Sequence, residues 1–464
     1  MAGDSSRTYD DAKFEAAFQT VLQLEKKDYP SYIGGFQIAS GNEFPIASPI
    51  DSSIKFGFFQ EPEKGIAARA VEASLETFST WSKIPADERA AYFEKVLELV
   101  RVQRYRLASI VLLSSGMTRQ ASVAEVDRLI AILENEIKKV KENKAGKPTG
   151  VWGILTSFNS PLASPIGYAA AAILAGNTAV VIPSRTCPVP VYQLYGIFEK
   201  AGLPGGVLNL IVDRKDDPSE ELAEDPRLAG LVASGTGKNL DDLMFLQIDD
   251  ELRFVNEIKG MNPILVHRPA DIKKAAKDVL ESAFAYSGQR LYSSSKVIIT
   301  IAEQQKFTDA LLDQAKNIKI GDPADIDTYA GPIISEPRLK EFLTLAESLR
   351  GRILFGGKRV NDEFTQNGSY VTPLIISATT DEEDEISYID SGFPILAIQI
   401  VADDEAAIEE AVYTERGLSV GVFSKDTRFL DKIKEEVDVP YIFVNESSLS
   451  LEPALEARVE TFTK

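Results

Sequence analysis

The sequence predicts an α/β protein built on parallel sheets. Two observations predict it: short runs of apolar, often β-branched residues recur along the chain, and amphipathic helical segments separate them. Such runs are typical of strands buried on both faces, and strands alternating with helices give a doubly wound parallel sheet. The 464 residues are enough for two or three domains with substantial cores.

The first third of the chain is predicted to be mainly helical. Apolar residues recur near every 3.6 residues from Glu63 to Arg101, and Pro85, with the acids after it, starts a second helix inside that segment. Further helices are predicted over residues 11–27 and 123–142.

The pattern changes at Gly150, where strands and helices begin to alternate. The predicted strands cover residues 151–155, 178–182, 207–212 and 228–233, with helices over 165–174 and 191–201. A second α/β cycle begins near Pro263 and runs to Val444.

Charge and composition exclude several classes of partner. The formal net charge is −20, and no polybasic run offsets it, so we expect no nucleic acid and no membrane partner. The N-terminus lacks the pattern of a signal peptide, and Gly176 divides the longest apolar stretch into a helix and a strand. The single cysteine, Cys187, excludes an internal disulfide and a cysteine-based zinc cluster. We therefore expect a cytoplasmic protein without a metal site.

The segment from Phe284 to Lys296 has the pattern of a nucleophile loop. It reads Phe-Ala-Tyr-Ser-Gly-Gln-Arg-Leu-Tyr-Ser-Ser-Ser-Lys, and it resembles the aldehyde dehydrogenase signature Phe-x-x-x-Gly-Gln-x-Cys-x-x-x-x-Arg, with Gly288 and Gln289 in register. Leu291 stands where that family keeps its reactive cysteine, and Lys296 stands where it keeps arginine. Because an isobutyl group has no lone pair, the resemblance implies that the nucleophile is replaced.

The resemblance covers nearly the whole chain, from about Ile33 to Asn445. The N-terminal third looks most like the branch that oxidises glutamate semialdehyde, the 1-pyrroline-5-carboxylate dehydrogenases. The segments that carry this likeness are 14–35, 104–108 and 124–126. The resemblance implies an aldehyde dehydrogenase-like fold: a Rossmann-like domain, a second α/β domain and a reduced oligomerisation element.

Two further catalytic positions follow from this resemblance. Thr156–Pro161 resembles the family's Pro-Trp-Asn-Phe-Pro, which implies that Asn159 donates to a developing oxyanion; the alternative is an asparagine that caps the turn. Glu257 matches the family's general base. Lys259 replaces the glycine that follows that base, and it either pairs with Glu257 and weakens it as a base or is a surface lysine.

The predicted cofactor positions differ more from the family. Residues 179–188 resemble the turn Lys-Pro-Ser-Glu-x-Thr-Pro, whose lysine and glutamate hold the adenosine ribose; Ser184 is kept, but Ile182 and Arg185 occupy those two places. Isoleucine donates nothing, whereas arginine suits a 2′-phosphate and therefore NADP. The turn 212–216 places acids at the position of the pyrophosphate, which is unfavourable for an anion.

Three other residues complete the predicted cofactor site. Gly235 and Thr236 persist from the family's Thr-Gly-Ser helix start, and Asp390 stands where a glutamate holds the nicotinamide ribose. We expect NAD or NADP to bind weakly or not at all.

The resemblance also divides the chain. Residues 1–258 correspond to the former dinucleotide-binding domain and 259–447 to the former catalytic domain. Residues 448–464 are a short C-terminal segment and a candidate oligomerisation strand, because residues 456–464 alternate in polarity. The family's hairpin between Glu142 and Val151 is missing, so we expect self-association or a protein partner that differs from the family's usual assembly.

Other residues offer weaker candidates for chemistry. Cys187 is predicted to be a small packed residue, and His267, the only histidine, has no second histidine with which to form a catalytic pair or a metal site. Tyr292 and the serines 293–295 adjoin Leu291, but no base is identifiable for them, so a polar turn is favoured.

The leading interpretation is an aldehyde dehydrogenase-like pseudoenzyme that acts as a binding or structural partner. The alternative is an NAD(P)-dependent aldehyde oxidoreductase with residual or altered activity on a glutamate semialdehyde-like substrate. A third hypothesis is an unrelated reaction based on Glu257 and Lys259.

Overall fold

The computed structural model describes residues 9–23, 27–142, 146–212, 214, 217–236, 252–258, 260–378, 392–413, 417–450 and 458–464. The chain divides into two compact units. The first comprises Met1–Ser48, Ser52–Glu257 and Ala454–Lys464, and the second comprises Pro49–Asp51 and Ile258–Pro453.

The first unit is built on a seven-stranded sheet. Its strand order is β10-β9-β6-β7-β8-β2-β3, and β6 pairs in parallel with both β7 and β9, as β7 does with β8. The strands of this unit are β1 (Lys27–Tyr29), β2 (Ser31–Ile33), β3 (Phe36–Ile38), β4 (Glu43–Ala47), β5 (Lys55–Gln60), β6 (Val151–Thr156), β7 (Thr178–Ile182), β8 (Leu208–Leu210), β9 (Leu228–Gly235) and β10 (Arg253–Ile258). Strands β1, β5 and β4 form a separate small sheet.

Helices pack around this sheet. They are α1 (Asp11–Leu22), α2 (Ile66–Trp81), α3 (Ala86–Val102), α4 (Arg104–Ser115), α5 (Arg119–Lys141), α6 (Ala163–Leu174), α7 (Val189–Ala201) and α8 (Asp217–Ala223). The predicted break at Pro85 is confirmed, because α2 ends before it and α3 begins after it. Every residue of α6 is buried, including the four consecutive alanines of residues 169–172.

The second unit contains another seven-stranded sheet, of order β13-β14-β15-β12-β11-β16-β17, in which only the edge strand β13 is antiparallel to its neighbour. Its strands are β11 (Ile264–Val266), β12 (Lys296–Thr300), β13 (Ile353–Gly356), β14 (Leu374–Ala378), β15 (Ile395–Val401), β16 (Ser419–Phe423) and β17 (Tyr441–Val444). Its helices are α9 (Ile272–Phe284), α10 (Gln304–Ala315), α11 (Glu336–Ser348), α12 (Asp404–Val412) and α13 (Thr427–Glu436). The predicted α/β architecture with parallel sheets is therefore confirmed.

The prediction of an edge strand over residues 456–464 is wrong for the described part of that segment. Val459–Phe462 is a 3-10 turn, and only Thr463 makes an isolated bridge, to Pro148. Val459 and Phe462 are both buried, because residues three apart share one face of a 3-10 turn. The turn is docked on its own first unit.

Two buried polar residues hold this terminal turn. The carboxylate of Glu136 accepts from the backbone N–H of Val459 at 2.7 Å, and Nδ2 of Asn177 donates to the carbonyl of Phe462 at 2.9 Å. The ring of Phe462 packs edge-on against Trp152, with centroids 4.5 Å apart. Residues 458–464 are thus an integral part of the first unit.

Within the described ranges, none of the helices combines the length and apolarity that a bilayer span requires. In the same part of the chain, no cluster of three His, Cys, Asp or Glu side chains is arranged to hold a metal ion.

Candidate functional site

Asn159 lies in the turn between β6 and α6, and its amide is fixed by the end of β9. Its Oδ1 accepts from the backbone N–H of Thr236 at 3.0 Å, while Oγ of Ser157 donates to the carbonyl of Thr236 at 2.7 Å. Oδ1 of Asn159 thus faces Thr236, which fixes the orientation of the planar amide. We call Ser157, Asn159, Gly235 and Thr236 the Asn159 corner.

Gly235 allows the two segments of this corner to approach. Its φ is +129°, and a Cβ built on it would lie 2.2 Å from Cβ of Ser157 and 3.0 Å from Oδ1 of Asn159. A side chain at this position would separate β9 from the turn. The sequence therefore keeps glycine here for a geometric reason, which is close contact with Asn159.

Glu125 supports the same turn from α5, and sequence reasoning missed this role. Its Oε1 accepts from Oγ of Ser160 at 2.7 Å and from the backbone N–H groups of Leu162 and Ala163, at 3.2 and 2.9 Å. The carboxylate thus caps the N-terminus of α6, where it also meets the positive end of the helix dipole. From the sequence alone, segment 124–126 indicated only a family likeness.

Glu257 is buried on β10, at 5% exposure. Its Oε2 accepts from Oγ of Ser234 at 3.4 Å, so the candidate base sits beside the strand that leads into the Asn159 corner. Lys259, the predicted partner of Glu257, lies outside the described residues.

The predicted adenosine turn follows β7. Ile182 is buried, Oγ of Ser184 lies 2.9 Å from Oγ1 of Thr186, and the exposed Arg185 donates to the carbonyl of Arg214 at 3.3 Å. Arg214, which the sequence analysis did not single out, therefore brings a second guanidinium-bearing residue to the carboxyl ends of β7 and β8. Gly235 and Thr236 lie in the Asn159 corner, whereas Asp390 is outside the described residues.

A cavity of about 590 Å³ lies beside α2 and α8, and its walls are mostly acidic. Arg214 and Lys64 are its described cations. The described carboxylates that line it are Glu61, Glu63, Asp217, Glu220, Glu221 and Glu224. Asp217 and Glu220 occupy the first turn of α8, where a phosphate would otherwise be favoured.

The segment Ala285–Ser295, which we call the Leu291 loop, joins α9 to β12. Its first residues form a 3-10 turn in which Tyr286 and Ser287 are left-handed, with φ of 53° and 54°. Left-handed non-glycine residues are costly and persist only where their surroundings impose them. A Cβ on Gly288, at φ +69°, would lie 2.3 Å from the carbonyl oxygen of Phe393, so this position requires glycine.

Gln289 fixes the loop from inside. Fully buried, it donates from Nε2 to the carbonyls of Tyr286 and Pro332, at 3.1 and 3.3 Å. Its Oε1 accepts from the backbone N–H of Ile334 at 2.8 Å. The glutamine of the Gly-Gln motif thus has a structural function that does not depend on the residue at position 291.

Asn262 holds the other end of the loop, and the sequence analysis missed it. Nδ2 donates to the carbonyls of Leu291 and Ser293, both at 3.1 Å. Oδ1 accepts from the backbone N–H groups of Leu418 and Ser419, both at 3.0 Å. One buried amide therefore satisfies four backbone groups and ties the loop to the start of β16.

Leu291 is buried at 5% exposure, and its side chain offers no lone pair. The serine hydroxyls that follow Leu291 have no carboxylate or imidazole partner among the described residues. Oγ of Ser293 accepts from the backbone N–H of Arg290, and the buried Oγ atoms of Ser294 and Ser295 have no hydrogen-bond partner among the described residues. Lys296, at the start of β12, is buried and paired with Glu410.

The single thiol is equally unsuited to nucleophilic chemistry. Cys187 is 1% exposed, and burial raises the pKa of its thiol to about 12. A thiol with this pKa is protonated at neutral pH and is a poor nucleophile. The prediction that Cys187 is a packed residue is confirmed.

His267 has more partners than the sequence suggested. Its Nδ1 lies 3.0 Å from Oγ of Ser424, its Nε2 lies 3.2 Å from Asp404, and its ring stacks on Phe429. Ser424 is 1% exposed, and its Oγ accepts from the backbone N–H of Asp426. This serine stabilises a turn and offers no exposed hydroxyl to a substrate.

The comparisons with known proteins identify the family. Residues 36–455 match the model of the aldehyde dehydrogenase family. The chain belongs to the aldehyde dehydrogenase family. It is 26% identical over 456 residues to the 1-pyrroline-5-carboxylate dehydrogenase of Geobacillus sp. (strain WCH70), covering 93% of this chain and 87% of that protein. It is 28% identical over 448 residues to the alpha-ketoglutaric semialdehyde dehydrogenase of Bacillus subtilis (strain 168), covering 92% of each.

Solved structures agree on the fold. The 1-pyrroline-5-carboxylate dehydrogenase from Thermus with bound NAD superimposes with a TM-score of 0.87 at 23% identity, covering 96% of this chain and 90% of that one. A mutant of the Thermus thermophilus 1-pyrroline-5-carboxylate dehydrogenase gives a TM-score of 0.88, also at 23% identity and with the same coverage. The predicted aldehyde dehydrogenase fold is therefore confirmed.

The described residues of the two units differ in the chemical groups that they offer. The first unit offers an oriented amide in Asn159 and a buried carboxylate in Glu257. The second unit offers a loop around Leu291 that contains no thiol and whose serine hydroxyls have no base as partner among the described residues. The described groups therefore suit polarisation of an oxygen atom and acid–base chemistry better than covalent attack on a carbonyl.

Proposed function

We propose that this chain is an aldehyde dehydrogenase-like pseudoenzyme, which lacks the nucleophilic cysteine and acts as a binding or structural partner. The observation that carries the proposal is Leu291, a buried aliphatic side chain in the loop that matches the family's nucleophile signature. Without a thiolate no thiohemiacetal forms, so hydride transfer lacks its usual intermediate.

The state of the other candidate nucleophiles supports the same proposal. Cys187 is buried with a raised thiol pKa, and the serines after Leu291 have no carboxylate or imidazole partner in the part of the chain that the structure describes. A hydroxyl without a general base is a weak nucleophile at neutral pH.

The test is an NAD(P)H-formation assay with glutamate semialdehyde and alpha-ketoglutaric semialdehyde, the substrate types that the names of the relatives suggest. We expect no turnover by the purified chain, and Glu257→Ala should leave the background rate unchanged. Robust NAD(P)H formation that Glu257→Ala abolishes would overturn the proposal. A 1-pyrroline-5-carboxylate dehydrogenase assayed in parallel verifies the substrates.

One observation favours a second candidate, an aldehyde oxidoreductase with residual or altered activity. Asn159 keeps an oriented amide and Glu257 keeps a buried carboxylate, so the groups suited to polarising an oxygen and moving a proton remain. A slow rate that is lost in Asn159→Ala and retained in Cys187→Ala would support this candidate over the pseudoenzyme.

For the cofactor, we propose that dinucleotides bind weakly and that NADP binds better than NAD. Ile182 provides no hydrogen bond to a ribose, and acids line the cavity next to α8. The exposed Arg185 suits the extra charge of a 2′-phosphate, whereas the guanidinium of Arg214 already pairs with Glu61 at 3.5 Å. Residues Ser184, Gly235 and Thr236 would contact the cofactor mainly through small polar groups.

Calorimetric titration with NAD and NADP tests this cofactor proposal. Arg185→Gln should weaken NADP about tenfold and leave NAD unchanged, because a charge-assisted bond contributes about 1.5–3 kcal/mol. Arg350→Gln, on an exposed arginine that pairs with Glu347, is the matched control. Tight NAD binding by the unmodified chain would contradict the proposal.

The partner we propose is a second copy of this chain or another protein. Among the described strands, β3 lies at the edge of its sheet with one side of its backbone unpaired, and Phe36 on it is 75% exposed. Size exclusion with light scattering should give a dimer or a smaller species, with Phe36→Ser reducing any association. A stable tetramer or hexamer would contradict this.

A further inference from the structure

A small cavity in the first unit has walls that carry hydrogen-bond donors and cations but no described acid. Its volume is about 70 Å³, and α1, β1, α4, β5 and α7 contribute side chains to it. The polar side chains among the described lining residues are Lys27, Tyr29, Lys55, Arg106 and Gln193, and the rest are apolar. Three cations without a carboxylate among the described lining residues are unexpected in a chain whose net charge is −20.

Arg106 is the centre of this arrangement. Its guanidinium donates to amide oxygens, Oε1 of Gln193 at 3.0 Å and Oε1 of Gln103 at 3.4 Å. Across the described residues it has no carboxylate partner, and burial lowers its pKa. A partly buried cation without a counter-ion is costly, and arginine's planar fork matches a carboxylate in two parallel hydrogen bonds.

Tyr29 is a second, independent observation. Its side chain is 7% exposed and locked by stacking on Phe59, with ring centroids 4.4 Å apart, and by an edge contact with Tyr192. Its hydroxyl has no hydrogen-bond partner among the described residues, although it lines the cavity and interacts electrostatically with Arg106. Because this hydroxyl has no such partner and its residue lines the cavity, it is available to donate to an acceptor bound there.

The walls of the cavity select among anions. Ile110, Leu113 and Val189 are among its apolar walls, which suit a short alkyl group and would desolvate a phosphate without compensation. One planar, singly charged head and a short apolar tail match these features.

We propose that this cavity binds a short-chain carboxylate. The carboxylate accepts from Arg106 and from the hydroxyl of Tyr29, Lys27 and Lys55 supply further positive charge at the mouth, and the alkyl group packs on the apolar walls. The site uses none of the residues of the Asn159 corner or the Leu291 loop, so it is independent of the proposed function.

Titration of the full chain with sodium propionate at constant ionic strength, followed by ligand-observed NMR and calorimetry, tests the proposal. We expect saturable 1:1 binding with a Kd of about 1 mM or tighter. Arg106→Gln should weaken binding about tenfold or more, since it removes a charge-assisted pair. Tyr29→Phe should weaken it about fivefold.

Lys55→Gln provides a variant whose folding is not at risk, because this side chain is exposed; we expect a loss of about two- to threefold. Arg350→Gln, in the second unit, should bind as the unmodified chain does. The proposal is overturned if propionate does not saturate, if Arg106→Gln and Lys55→Gln both bind normally, or if inorganic phosphate binds more tightly than propionate.

Discussion

The Asn159 corner and the Leu291 loop are both held by buried amides, but they differ in what the amide does. In the corner, Asn159 is itself the candidate functional group, and one face of its amide is used for positioning. In the loop, Asn262 and Gln289 only position the backbone, and the candidate functional position is a third residue, Leu291. Position 291 can therefore change without loss of the hydrogen bonds that shape the loop.

This difference explains how the side chain at one position of the loop can change while the fold around it persists. The Leu291 loop is fixed through its backbone. Buried amides donate to its carbonyls, Tyr286 and Ser287 are left-handed, and Gly288 lies against the carbonyl of Phe393. In the corner, by contrast, substitution of Asn159 removes a structural bond and a candidate catalytic group together.

Among these variants, Asn262→Ala should lose the most stability. It leaves two carbonyls and two N–H groups of the loop and of β16 without a partner, so we expect the free energy of unfolding to fall by about 3–5 kcal/mol. Urea denaturation measures it. Asn317→Ala, on an exposed asparagine of the same unit, should cost less than about 1 kcal/mol. Equal losses in the two variants would show that the loop is not held by Asn262.

Leu291→Cys should cost less, about 1–3 kcal/mol, because it removes buried carbons but no hydrogen bond. Leu291→Met should cost under about 1.5 kcal/mol. In a Cys187→Ala background, the rate of iodoacetamide labelling then shows whether a thiol at this position is reactive. Destabilisation as large as that of Asn262→Ala would contradict the separation of scaffold from side chain.

Asn159→Ala should lower the free energy of unfolding by about 1–2 kcal/mol, since the backbone N–H of Thr236 loses its acceptor. Asn42→Ala, exposed in the same unit, is the control and should be nearly neutral. A neutral Asn159→Ala would mean that the corner does not depend on the amide.

At neutral pH, the ionisation of Cys187 should have the smallest effect on stability. Its folded-state pKa is raised by burial to about 12 from an ordinary value of 9.0, so its contribution to stability is complete below pH 9 and declines as the pH rises towards 12. In that window the difference between the unmodified chain and Cys187→Ala should change by up to roughly 1.4 kcal/mol per pH unit. A constant difference from pH 7 to 11 would show that the thiol is not buried in solution.

Local pattern predicted much of the fold, including the break at Pro85 and the buried strands, because periodicity reflects burial directly. It did not reveal Asn262, whose partners lie 29 to 157 residues away along the chain. Glu125 and Arg214 were missed for the same reason. Alternation over the terminal segment predicted a strand, but the burial of Val459 and Phe462 favours a 3-10 turn.

The docking of residues 458–464 has a consequence for how the protein is made. Residues 52–257 of the first unit are translated before residues 258–453 of the second, yet Glu136 and Asn177 receive their partners in residues 459–462 only after the second unit has been translated. Synthesis is vectorial, and domains generally fold in the order in which they emerge. Here all residues of the second unit have been translated before the last segment of the first unit. The first unit is therefore the second of the two to be completed.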